Sequence, residues 1–130
     1  MDTRIQKVLD YIESNLSRKL TLSELAAIGC MSSSYFHRVF KKETGRTPFN
    51  FIEEIKINKA YALIISNTPR IYELTEMFGY SDYETFTRAF KKHFTLAPDD
   101  LRAIVLRIKK ELNVGSEGFL IKVFEVDKLY

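Results

Sequence analysis

The apolar positions of this chain come round at helical spacing almost from its first residue. Ile5, Val8, Leu9, Ile12 and Leu16 stand at i, i+3, i+4, i+7 and i+11, the stripe of an amphipathic helix over about residues 3–16. Ser17-Arg18-Lys19-Leu20 leads out of it. Thr21-Leu22-Ser23-Glu24 is a capping box, with Thr21 as N-cap and Glu24 reaching back to it, so a second helix starts at Leu22 and ends near Ile28-Gly29-Cys30. Ser32 or Ser33 caps a third helix, which runs to about Thr44 and is stopped by Gly45. Helix, tight turn, helix is the helix-turn-helix arrangement.

Residues Pro48 to Ser66 then read as one long helix, with Thr47 as N-cap and Pro48 at the first position, where a missing N–H costs nothing. Its apolar residues form two stripes: Phe49, Ile52 and Ile55 on one, Ile57, Ala60, Leu63 and Ile64 on the other. It should therefore be buried by one core near its start and another near its end. Its nineteen residues rise roughly 28 Å, the same order as the ~34 Å between successive major grooves on one face of DNA. After the Asn67-Thr68-Pro69-Arg70 breaker come a short helix over about Ile71–Phe78, a Gly79-Tyr80 turn, and a helix capped by Ser81 or Asp82 that reaches about Phe94. Ala97-Pro98 starts a last helix, whose Leu101, Ile104, Val105, Ile108 and Leu112 repeat the first stripe, and Asn113 and Gly115 end it. Phe119–Val126 is rich in β-branched and aromatic residues and reads as a strand. A lone strand cannot stand by itself, so it pairs with another chain, folds onto the helices or opens a further domain. The expected class is all-α with this one short C-terminal strand, divided into subdomains at 1–47 and 67–112, a linker helix at 48–66 and an extension at 113–130.

The two halves are versions of one object. Phe36-His37-Arg38-Val39-Phe40-Lys41-Lys42 and Pro48 recur, 50 residues on, as Phe86-Thr87-Arg88-Ala89-Phe90-Lys91-Lys92 and Pro98. An internal repeat means that one supersecondary unit has been used twice. On the third helix Phe36, Val39 and Phe40 face inward, and Ser34, His37, Arg38 and Lys41 form the opposite face. In the second copy Phe86, Ala89 and Phe90 face inward, and Glu84, Thr87, Arg88 and Lys91 take the same outward places. One polar helix face is ordinarily only a solvated face. Two faces that keep an arginine at the same place while their neighbours differ are what two different half-sites require. Arg can grip guanine O6 and N7, Thr can touch a thymine methyl, and Glu can accept from cytosine N4, although an internal Glu84–Arg88 pair is an equal alternative. Lys41, Lys42, Arg46, Lys91 and Lys92 stand later and suit phosphates.

Bulk properties narrow the partners only a little. The chain has 130 residues, 45% of them hydrophobic, enough for one domain or two very small ones. Its net charge is +3, with 18 Lys/Arg against 14 Asp/Glu in residues 1–112, a modest excess that suits a polyanion. Cys30 is the one cysteine, which excludes an internal disulfide and fits a reducing compartment; it reads as a small turn or core residue. No long apolar run or leader appears, so the expectation is a cytoplasmic protein with no membrane partner. His37 has no ligand spacing with His93 or Cys30, and no phosphate loop, nucleophile elbow or metalloprotease motif is present. No catalytic residue, metal or cofactor is expected.

The chain resembles the AraC/XylS class of bacterial transcription regulators. The resemblance is carried by Leu22-Ser23-Glu24-Leu25-Ala26-Ala27, Met31-Ser32, Tyr35 to Pro48, Lys56-Ile57-Asn58-Lys59-Ala60, Gly79-Tyr80-Ser81-Asp82 and Phe86 to Phe94 with Pro98, over about residues 4–108. It implies a seven-helix unit of two helix-turn-helix subdomains joined by the long central helix. Its recognition helices, about 33–44 and 82–94, would lie in successive major grooves of double-stranded DNA, which bends at a cost of roughly a few kcal/mol. Base contacts then fall on Ser34, His37 and Arg38, and on Tyr83, Glu84, Thr87 and Arg88. Binding is expected of a monomer through two motifs, with RNA polymerase, and a second copy paired through the final strand, as further partners left open. A module of the same fold that holds the transcription machinery without reading bases is the alternative. One departure concerns the turn glycine that the family places before Met31-Ser32. That place holds Cys30 here, a strained choice at positive φ, so the first turn is expected to be reshaped. The 18 residues after the last helix leave no ligand pocket to assign.

Overall fold

The computed structural model describes residues 1–66 and 69–112. These form seven helices: α1 (Thr3–Glu13), α2 (Leu22–Ile28), α3 (Ser33–Thr44), α4 (Pro48–Ser66), α5 (Ile71–Met77), α6 (Tyr83–Phe94) and α7 (Pro98–Leu112). The expected strand at 119–126 and the helix stop at Asn113 and Gly115 lie outside the described residues. The chain divides into two units, one of Met1–Lys56 with Met77–Gly79, the other of Ile57–Glu76 with the described residues from Tyr80 on. The division falls inside α4, whose apolar residues lie on more than one side.

In the first unit, Ile5, Val8 and Ile12 of α1, Leu25 of α2, and Phe36 and Phe40 of α3 are wholly buried. Each such side chain contributes roughly 1.5–3 kcal/mol. Helix α1 is shorter than its apolar stripe. Asp2 caps it, accepting from the Arg4 N–H at 2.8 Å, but at the far end the Ser14 hydroxyl and the Asn15 amide donate to the carbonyls of Asp10 and Tyr11. The Asn15 side chain thus takes the Tyr11 carbonyl that the next helical bond would have used, and the Asn15 N–H donates to Ile12 instead. Leu16 is buried all the same, from the loop. At the start of α4 the Thr47 hydroxyl accepts from the Asn50 N–H at 3.3 Å. The expected inward role of Phe49 is corrected, because its side chain is 50% exposed. Pro48 and Ile52, four residues apart, define the inward line, and Phe49 stands a hundred degrees round from it. Phe51 turns in instead, its ring edge-on to Phe40 at 5.4 Å.

In the second unit, Ile57, Ala60 and Ile64 of α4 are wholly buried, as are Leu74 of α5 and Phe86 and Phe90 of α6. Ile65, outside the expected stripe, is also buried and packs with Val105 against Tyr61, Leu101 and Ile108. Tyr61 stacks on Phe94 with ring centroids 4.4 Å apart. The stripe on α7 is narrower than its spacing predicts: Leu101, Val105 and Ile108 face the core, whereas Ile104 and Leu112 are exposed. Arg102 crosses to the segment before α5, donating to the Pro69 carbonyl at 2.7 Å.

The two tight turns are alike in hydrogen bonding and unlike in length. After α2 the Met31 N–H donates to the Ala26 carbonyl (2.9 Å) around Cys30 at φ 57°, and after α5 the Tyr80 N–H donates to the Thr75 carbonyl (3.0 Å) around Gly79 at φ 71°. Both close a helix through a left-handed residue. The first turn is therefore not reshaped; Cys30 adopts the glycine conformation. The next N-cap comes two residues after Cys30, at Ser32, but three after Gly79, at Asp82. Accordingly α6 begins 50 residues after α3, whereas α5 begins 49 after α2.

Candidate nucleic-acid interface

Helix α3 is fixed at both ends by short-range bonds. The Ser32 hydroxyl accepts from the Tyr35 N–H at 3.2 Å, and Gly45, at φ 76°, closes the C-terminus by donating to the Lys41 carbonyl at 2.8 Å. Phe36 and Phe40, their rings 5.5 Å apart, anchor the inner side. The outer side then presents Ser34, Arg38, Lys41 and Lys42, all exposed, with His37 half-buried. His37, Arg38, Ser33 and Ser34 line a shallow open depression together with Leu22 of α2. Beside it, the Arg4 guanidinium lies 5.9 Å over the ring of Tyr35 and also pairs with Asp2.

Helix α6 repeats this plan with different chemistry. The Asp82 carboxylate accepts from the Thr85 N–H at 2.7 Å, and that bond, assisted by the charge of Arg88, holds its carboxyl below the usual range. Phe86 and Phe90, 6.0 Å apart, form the inner side. Glu84, Arg88, Lys91 and Lys92 are exposed on the outside. No ion pair joins Glu84 to Arg88 among the described residues, so the internal pair that their spacing allows is not made. Tyr83 is exposed, but its hydroxyl donates to Asp99 at the start of α7. Burial first, then that bond, raises the phenol above its ordinary value. Thr87 is half-buried and its Oγ1 is buried, so what it exposes is not its hydroxyl.

Lys41 and Lys42 stand in the last turn of α3, and Lys91 and Lys92 in the last turn of α6, where positive charge also complements the helix dipole. Arg46, in the loop after α3, is ion-paired with Glu54 of α4. That pair and the Tyr83–Asp99 bond carry no sequence signal, since each links residues across a helix break. Cys30 is an exposed turn residue rather than a core one. Among the described residues no three His, Cys, Asp or Glu side chains come together as a metal site, and no helix is long and apolar enough to cross a membrane.

Two exposed faces, each with an arginine at its middle and lysines at its C-terminal end, are what contact with base edges and phosphates needs. Known proteins share the fold. A family model described as a helix-turn-helix domain matches residues 25–104. The multiple antibiotic resistance protein MarA of Escherichia coli is 36% identical over 99 residues, covering 75% of this chain and 77% of that protein. YbfP, an HTH-type transcriptional regulator of Bacillus subtilis, is 29% identical over 109 residues, and there the match spans 82% of this chain but 37% of the relative. Among solved structures, an AraC-type regulator from Chromobacterium violaceum superposes with a TM-score of 0.70 at 22% identity, covering 79% of this chain and 92% of that one. The DNA-binding domain of AdpA, solved with a target DNA, gives 0.73 at 21% identity, covering 78% and 91%.

Proposed function

Because this chain belongs to the AraC-type family of helix-turn-helix transcription regulators, we propose that it binds double-stranded DNA sequence-specifically, with α3 and α6 as recognition helices in successive major grooves. The observation that carries this is the equivalence of Arg38 and Arg88. Each is exposed, each lies on the face opposite a buried phenylalanine pair, and each is framed by different neighbours. AdpA, whose DNA-binding domain has the same fold, was solved on its target DNA. In this reading Ser34, His37 and Arg38 contact bases in one half-site, and Glu84, Thr87 and Arg88 in the other. Lys41, Lys42, Lys91 and Lys92 neutralise phosphates; Arg46 does so after giving up Glu54. The work is recognition and not catalysis.

The test begins with selection of bound duplexes from a random pool, followed by titration of the selected operator. Arg38→Ala and Arg88→Ala should each cost about 1–3 kcal/mol on that operator and relax preference only within their own half-sites. Wild-type affinity in both variants would overturn the assignment of the faces. A parent chain with no affinity for any duplex at low salt would point instead to a module that holds a protein partner.

A further inference from the structure

The reading faces differ at one place in a way that charge and size alone do not describe. Fifty residues before Tyr83 stands Ser33, and fifty before Asp99 stands Phe49. Only the second copy has a phenol and a carboxylate at these two positions. They meet: the Tyr83 hydroxyl donates to Asp99 Oδ2, tying the first turn of α6 to the first turn of α7 within one unit. Tyr83 also precedes Thr87 by four residues, the spacing that brings side chains together on a helix. The Thr87 hydroxyl lies close enough to the phenol to favour its ionised form, and its oxygen is buried. On a face otherwise exposed, a hydroxyl shut away from solvent has been covered.

We infer that the Tyr83–Asp99 hydrogen bond is a latch that sets what the second recognition helix offers to DNA. The latch rests on the DNA-reading function proposed above. It holds the phenol across Thr87 and withdraws both hydroxyls from the reading face. Glu84, Arg88 and the non-hydroxyl surface of Thr87 are left to meet the bases. A threonine hydroxyl bonds donors and acceptors alike, whereas its methyl favours the thymine methyl. Hiding the one and leaving the other turns an indifferent contact into a selective one. Tyr83 is then a positioning residue that acts through Thr87, and the first copy, with Ser33 and Phe49, has no such device.

Three variants of the full chain separate the latch from simple charge: Tyr83→Phe, Asp99→Ala and Asp99→Asn. Asparagine keeps an oxygen that can accept from the phenol; alanine does not. Each variant is used to select from a duplex pool randomised in both half-sites, and the selected sites are titrated. Tyr83→Phe and Asp99→Ala should lower discrimination by about fivefold or more at the base pair facing residue 87. A fourth variant, combining Tyr83→Phe with Asp99→Ala, should do no more than either single, because both remove one interaction. Asp99→Asn should keep the parental preference, and all three should leave the first half-site unchanged. An Asp99→Ala variant that behaves like Asp99→Asn, or a change spread evenly over all sequences, would overturn the latch while leaving the DNA-reading proposal intact. A parent that selects no sequence would overturn both.

Discussion

Among the described residues, Cys30, Gly45, Gly79 and Thr95 take left-handed backbone conformations, with φ of 57°, 76°, 71° and 64°. They fill two pairs of equivalent places, the turn inside each motif and the ends of α3 and α6. Each copy has glycine at one place and a residue with a Cβ at the other, and such a residue costs about 1–2 kcal/mol there. Space distinguishes the two glycines. A Cβ added at Gly45 would meet nothing within 4 Å, whereas one at Gly79 would lie 2.7 Å from the Ser17 carbonyl oxygen. Gly45→Ala should therefore lower stability by about 1 kcal/mol, and Gly79→Ala by about 2–4 kcal/mol because backbone must also move. Urea unfolding of the two variants checks this; equal losses would mean that the approach to Ser17 yields freely. The sequence located Cys30 at the critical turn position but not the outcome there. Whether strain bends a turn or is absorbed by one residue depends on the packing of the flanking helices, here anchored by the wholly buried Leu25 and Phe36. No turn residue encodes that.

Helix boundaries were legible where the signal spans three residues. Thr21, Ser32, Thr47 and Asp82 each accept from the N–H three residues on, as their spacing predicts. The partner of Glu24 was less visible. Its carboxylate does not chiefly close the capping box on Thr21 but meets Arg18 and the Tyr11 hydroxyl, joining the loop after α1 to the start of α2. The hydrogen bond from Arg18, then that from Tyr11, holds the Glu24 carboxyl down from 4.5 to about 2. Since the folded value is the depressed one, the stabilisation is complete above about 4.5 and is lost as the pH falls towards about 2. Glu24→Gln should thus flatten the acid limb of the stability curve in that window. Parallel curves for parent and variant, followed by urea midpoints against pH, would refute the assignment. Asp2, held at about 2 by Arg4, contributes to both curves alike.

Over the whole molecule, duplication made the fold legible: a motif seen twice at one spacing fixes both copies at once. Duplication also hid what the copies do not share, the pairing of Arg46 with Glu54 and of Tyr83 with Asp99. On the proposed DNA-binding function, these differences should carry over into affinity. Lys42→Ala should weaken binding to every duplex about equally and reduce the slope of log affinity against log salt by about 1. Arg46→Ala should change that slope less, because its charge is already partly answered by Glu54. Titrations at several salt concentrations measure both, and an equal effect would show that the ion pair opens without cost.

The extra residue in the second turn has a practical meaning for anyone building chimeras of this protein. Aligned on α3 and α6, Asp82 falls on Ser32; aligned on the left-handed residues, Gly79 falls on Cys30, and no single register satisfies both. A transplant of Tyr83–Phe94 into the place of Ser33–Thr44 preserves the cap positions, while a junction drawn upstream of Cys30 by the same offset would import one residue too few or too many. Parts of the two halves are exchangeable only from the cap onward.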